Sequence, residues 1–471
     1  MPRITPPTIC LLALATLGVP QASEAAQMQS IPTEQYLRSL ISSSLSSQST
    51  DVGIVVGVLD ATSSVVVSQG YTDSNHSHLV DGDTLFEIGD VTKVFTGMLL
   101  ADMLKRGEVK LTDPISKYLP ERTLIDGRAD SVVPLIDLAT SSIGDIWNLP
   151  NLSARQPVPA LAGFSSLPLN VANTSANSVS AVSRPYQLSD LGYGLLGQAM
   201  AKRLKTSYQQ VLTQRILRPL AMEDTHVGLV NLPAGRIAFG QDADLKMRPA
   251  HVHPNVLVSA DGITSSANDL MKFLRAIIDQ RFTKFAFAFR ESLSVRRATR
   301  SPETLSSLGW AIRQIGSTEI VWRSSELDGY SIWIGVDLAT KRGAVVLVTL
   351  GSSVATDIGF RALSWDTGEG QQRPTIGLKR SRLETFSGQY RINDGRLLTV
   401  AREKEHLTLA LHGQTLGPAY AESDRRFSAP QTGLKFTFDY ETESQSHPGR
   451  IVIYQGDLIE IADRVREPEL H

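Results

Sequence analysis

The stretch Phe86-Glu-Ile-Gly-Asp-Val-Thr-Lys-Val-Phe-Thr-Gly-Met-Leu-Leu-Ala-Asp102 decides how the chain is read. From Val91 to Arg106 apolar residues recur at a period near 3.6, and Gly107 follows as a stop, so the spacing predicts a helix there. Asp90 and Lys93 lie three residues apart at its start, one turn from each other on the same face. A carboxylate and an ammonium so placed form either an ion pair or an acid–base pair.

This stretch resembles the nucleophile helix of the serine β-lactamase (class C), penicillin-binding protein and esterase superfamily. In that superfamily the residue three before the lysine is serine, giving Ser-x-x-Lys. Here it is Asp90, and Lys93 is kept. Working outward, Gly107 to Pro120 is similar to the segment that follows the nucleophile helix. Leu191-Gly-Tyr-Gly-Leu-Leu-Gly197, Pro219-Leu-Ala-Met-Glu-Asp-Thr225, Gly262-Ile-Thr-Ser-Ser-Ala-Asn-Asp269 and Asp328-Gly-Tyr-Ser331 also match family segments in order. The similarity covers roughly residues 35 to 365. Phe386-Ser-Gly-Gln-Tyr390 resembles the opening of a small β module that follows this domain in some relatives.

The resemblance implies an α/β (α+β) fold, a mixed domain with antiparallel sheet and a helical region, followed by a small antiparallel β domain. It also implies a mechanism. A serine attacks a carbonyl, a lysine and a tyrosine handle its proton, and two backbone N–H groups, one of them the nucleophile's own, stabilise the oxyanion. The positions that carry these roles have changed. The family's Tyr-x-Asn reads Leu188-Ser189-Asp190, so the phenol is lost and the amide is an acid; Tyr186 lies two residues too early. Lys-Thr-Gly or His-x-Gly reads Arg323-Ser324-Ser325, which keeps a cation but loses the glycine that lets backbone and substrate approach closely. The His-Thr-Ser-Gly segment reads Ser141-Ser142-Ile143-Gly144.

Carboxylates serve as nucleophiles elsewhere, so Asp90 is not inert by type. Its position works against it, because the carboxylate would sit beside the developing oxyanion. Two like charges about 4 Å apart at an effective dielectric near 20 repel by roughly 4 kcal/mol, about a thousandfold in rate. Attack on an amide would also leave an anhydride. An adjacent carboxylate favours the ammonium form of Lys93 and removes it as a base. The expectation is therefore an internal salt bridge between Asp90 and Lys93, with Asp190 as a second acid for the lysine.

The rest of the chain frames this domain. Arg3, the apolar run Ile9 to Val19 and the small residues Ala22, Ala25 and Ala26 read as a secretory signal peptide. At about half of the roughly 20 residues that a spanning helix needs, the run predicts no membrane anchor once the signal is cleaved. The single cysteine, Cys10, leaves with the signal, so neither disulfides nor thiolate chemistry are expected. The nine histidines show no metal-ligand spacing, and no cofactor is called for. A formal net charge of -2 gives no footprint for nucleic acid.

Helices are expected over Pro32 to Leu45, Leu191 to Lys205 and Asn268 to Ile278, and strands over Val52 to Leu59, Val65 to Ser68, Ile320 to Trp322, Ser331 to Asp337 and Ala344 to Leu350. Asn151 to Ser183 reads as a long surface excursion. Short alternating strands at Gly388 to Ile392, Leu397 to Ala401, Leu407 to Leu411, Phe436 to Tyr440 and Arg450 to Tyr454 argue for a small antiparallel sheet or barrel. The division that follows is a signal at 1–26, a β-lactamase-like domain at 32–365, a linker at 366–380 and a small β-barrel-like domain at 381–471.

The sequence thus reads as an exported, noncatalytic member of the superfamily, with a cleft for a peptide or peptidoglycan-like ligand. Two alternatives stay open: a β-lactamase, D,D-peptidase or esterase with rearranged catalytic residues, and a scaffold that contacts an unidentified protein through the C-terminal domain or the 151–183 excursion. Fold by itself does not choose among them.

Overall fold

The computed structural model describes residues 31–45, 51–119, 133–140, 190–228, 257–279, 283–299, 304–315, 318–327, 329–364, 377–392, 395–411, 414–429, 434–440, 447–455 and 458–465, with the short pieces 124–125, 128–129, 232–233, 235–241 and 246–248. The expected signal, the 151–183 excursion, the polar stretch 366–374 and the positions Ser141 to Gly144, Tyr186 and Leu188 lie outside them.

An antiparallel sheet of eight strands organises the larger domain, in the order Ser64–Gln69, Ile54–Leu59, Arg342–Val348, Tyr330–Asp337, Thr318–Leu327, Ala311–Ile315, Thr304–Ser306 and Arg297–Ala298. Its central strands are buried on both faces, which is why they read as continuous apolar runs rather than alternating ones. Alternation still decides which way each residue points. Val55, Ile332, Ile334, Val345 and Leu347 face a large core built with the helical region. Ile54, Val56, Trp333, Ala344 and Val346 face the other side, where helices Glu34–Ser44 and Val354–Leu363 supply Leu37, Leu40, Ile41, Ile358 and Ala362.

The first helix begins at Glu34, two residues inside the expected start, because the Thr33 hydroxyl caps it by accepting the Tyr36 N–H. Helix Thr92–Lys105 runs through the centre of the domain and is buried on nearly every face, Lys93 included. The strands Arg297–Ala298, Thr304–Ser306 and Ala311–Ile315 and the helices Thr283–Ser292 and Val354–Leu363 were not expected from the pattern.

The C-terminal domain is a closed antiparallel barrel of eight strands, from Gly388–Ile392 to Leu458–Arg464, sealed by pairing of its first and last strands through Tyr390 and Arg464. Inward positions follow the period of two: Tyr390 and Ile392, Leu398 and Val400, Leu407 and Leu409, Phe436 and Phe438. Helix Arg380–Phe386 adds Phe386 to this core, its ring stacked 4.3 Å from Phe438 and edge-on to Phe427 at 5.2 Å. Arg464 ties helix and barrel together by donating to the carbonyls of Thr385 and Ser387 and to the Tyr390 hydroxyl.

Candidate active site

Three elements converge at the N-terminal end of helix Thr92–Lys105. The tight turn Gly89–Val91 leads into that helix and carries Asp90. Helix Asp190–Arg203 starts with Asp190, an acid in the first turn where the helix dipole favours negative charge. Strand Thr318–Leu327 presents Arg323 and Ser325, two residues apart and so on one face. That is the face of Val321, which belongs to the helical core, whereas Trp322 points to the opposite side of the sheet.

Hydrogen bonds fix the two helices against each other. The Thr96 hydroxyl reaches the Ser259 carbonyl at 2.6 Å and the Tyr208 hydroxyl at 2.7 Å, and the Ser259 hydroxyl donates to the Tyr193 carbonyl at 3.1 Å. Gly97 lets the chain at Leu308 approach the helix backbone; a Cβ there would stand 2.2 Å from the Leu308 carbonyl oxygen. The register of this packing brings Lys93 to the acids.

Lys93 is fully buried and pairs with Oδ1 of Asp90 and, at 2.6 Å, with Oδ1 of Asp190. The other oxygen of Asp90 lies 3.5 Å from Nη2 of Arg323, whose side chain is 1% exposed. The two carboxylates are the accessible members, at 26% exposed for Asp90 and 53% for Asp190. Two cations and two anions thus balance within one hydrogen-bonded cluster. Of the residues singled out from sequence, the structure brings Asp90, Lys93, Asp190, Arg323 and Ser325 together.

The electrostatics follow from this arrangement. Burial pushes the Asp90 carboxyl up, but Lys93 and Arg323 outweigh it and hold the group below the ordinary aspartate range. For Lys93 burial favours the neutral amine; the carboxylates of Asp190 and Asp90 overcome it, against some opposition from Arg323, and the ammonium is stabilised. Asp190 is shifted the other way, raised by partial burial and by repulsion from Asp90 and Asp261, with Lys93 opposing. Asp90 is the ionised anchor of the cluster and Asp190 the acid more readily protonated.

One contact was not foreseen. The backbone N–H of Asp90 donates to the Ser325 hydroxyl oxygen at 3.0 Å. An N–H in the turn that opens a helix has no acceptor within the helix, and here the Ser325 hydroxyl supplies one. No feature of the sequence near either residue signals it. Among the described residues no group of three or more His, Cys, Asp or Glu could hold a metal ion.

A central antiparallel sheet, a buried helix with Lys93 one turn after Asp90, and a strand lining that turn make up the site. Residues 43–363 match the Beta-lactamase family model, and the chain belongs to that family. It is 29% identical over 225 residues to a β-lactamase of Escherichia coli K12, an alignment covering 48% of this chain and 56% of that protein. The D-alanyl-D-alanine-carboxypeptidase/endopeptidase AmpH of the same strain is 25% identical, with 49% and 58% covered. The chain therefore spans little more than half the length of these relatives. Among solved structures, a D-alanine carboxypeptidase AmpC from Burkholderia cenocepacia superposes with a TM-score of 0.56 at 21% identity over 71% of this chain and 100% of that one. A class C β-lactamase from Rhodobacter sphaeroides gives 0.56 at 20% identity, over 70% and 99%.

Proposed function

We propose that this protein is a catalytically inactive member of the β-lactamase family that keeps the fold and binds, rather than cleaves, a peptide or cell-wall-like ligand or a protein partner. The observation that carries the reading is the saturation of Asp90. Its two oxygens face Lys93 and Arg323, so its lone pairs are committed to cations and its nucleophilicity and basicity both fall. Lys93, held as an ammonium by Asp90 and Asp190, has no free electron pair with which to accept a proton. Neither residue is in the state that acyl transfer requires.

The names of the similar proteins, β-lactamase and D-alanyl-D-alanine carboxypeptidase, supply the ligand class: a peptide ending in D-alanine or a molecule shaped like one. Export completes the proposal, since such ligands lie outside the cytoplasm; the basic and apolar start of the chain supports it. Among the described residues no helix is long and apolar enough to cross a membrane.

The reading is tested by offering the purified protein a chromogenic cephalosporin, short acyl esters and D-alanyl-D-alanine peptides. It predicts no turnover above the uncatalysed rate. Turnover of any of them at about 1 per second or more, typical of an enzyme, would establish instead a hydrolase with rearranged chemistry.

A further inference from the structure

Ser325 stands against the turn that opens helix Thr92–Lys105. Its side chain is buried, it stands on the strand that lines the Gly89–Val91 turn, and its hydroxyl oxygen takes the Asp90 N–H at 3.0 Å. That N–H points from the opening turn of helix Thr92–Lys105 and, with the positive end of the helix dipole behind it, is a donor suited to an anion. Asp90 and Lys93 do not use it, since their contacts run through the carboxylate.

We propose that the Ser325 hydroxyl is a built-in occupant of this donor and closes the cleft to oxyanions independently of the Asp90 carboxylate. The proposal rests on the reading of Asp90 as the residue at the nucleophile position and adds a second lock to it. The first is charge: the Asp90 carboxylate repels an incoming anion. The second is the hydroxyl, which both fills the space and satisfies the donor, so that an anion entering there must displace a hydrogen bond already made. Removing one lock leaves the other. The Asp90→Ser variant would regain a hydroxyl and still lack a free N–H.

Phenylboronic acid tests this, because a hydroxyl oxygen adds its lone pair to boron and releases its proton to the buffer, leaving a tetrahedral boronate anion whose oxygens need the free donor. The measurement is an equilibrium affinity and so does not depend on the proton-transfer groups missing from the cleft. Titration of the full-length chain with this probe is compared for Asp90→Ser, for Asp90→Ser with Ser325→Gly, and for Asp90→Ser with Ser325→Ala, which keeps a side chain on the strand should the glycine variant not fold. The double variants are expected to bind about tenfold more tightly than Asp90→Ser, or better, the scale of one charge-assisted hydrogen bond. Equal affinities would overturn the second lock and leave the inactive reading standing. A boronate adduct on Ser325 of the unmodified protein would overturn both, since Ser325 would then be a displaced nucleophile.

Discussion

Lys93 Nζ and Asp190 Oδ1 stand 2.6 Å apart although 97 residues separate them in sequence. With Asp90 on its other side, Lys93 is the common partner of two carboxylates and is fully buried, whereas both acids keep some contact with water. The buried cations, Lys93 and Arg323, therefore need the acids at least as much as the acids need them. Replacing a member strands the charges left behind, and burial sets what each stranded charge costs.

Lys93→Met is accordingly expected to lower unfolding free energy by about 3 kcal/mol, because two carboxylates lose their shared cation. Asp90→Ala should cost stability as well, because it takes a carboxylate from two buried cations, Lys93 and Arg323, although Lys93 retains Asp190. The double variant should recover part of the Lys93→Met loss. Denaturant unfolding of all four proteins gives the coupling between Asp90 and Lys93, and a value below about 0.5 kcal/mol would show that they do not act as a buried pair.

Gly97→Ala tests how closely the helix is packed. By intrinsic propensity, alanine in the interior of a helix is favoured over glycine by about 1 kcal/mol. Here its Cβ would meet the Leu308 carbonyl oxygen at 2.2 Å, a contact with backbone that can yield only by moving the chain. The expected result is destabilisation of about 1 to 3 kcal/mol by thermal or denaturant unfolding. A gain in stability would mean that helix and loop do not touch.

The acid limb of stability should report Asp113. Burial raises its carboxyl, but the Tyr118 hydroxyl, the Lys117 ammonium and the Lys110 N–H outweigh it and bring it down from 3.8 to about 2. A carboxyl depressed in the folded state contributes stability that is complete above its unfolded value and is lost as pH falls through the folded one. The difference in stability between wild type and Asp113→Asn should be constant at neutral pH and shrink as pH falls from about 4 to about 2. A difference that does not change over that range would contradict the assignment.

The helix that carries Lys93 was legible in the sequence because both periodicity and Gly107 mark it, and the ion pair with Asp90 follows from a three-residue spacing. Contacts made across the chain were not. Ser325 and Asp90 are 235 residues apart, and nothing local to either one sets the strand register that joins them. Helix Val354–Leu363 escaped notice because Gly359 weakens its pattern; that glycine is there so that the helix can lie on the Trp333 ring, which a Cβ would meet at 2.2 Å. In the barrel, Gln414–Ala421 carries Gly417 and Pro418 and pairs through a register shift at Leu409 and Ala410, so it reads as a loop. The two-residue edge strand Arg297–Ala298 is exposed and too short to show a period.

The loss of covalent chemistry at position 90 is the central claim, and intact-protein mass spectrometry after incubation with a penicillin measures it directly. With Asp90 held ionised between Lys93 and Arg323, the mass should remain that of the unmodified chain at every time and concentration tried. A stoichiometric increase by the mass of the penicillin, mapped to any residue of the cleft, would contradict the account.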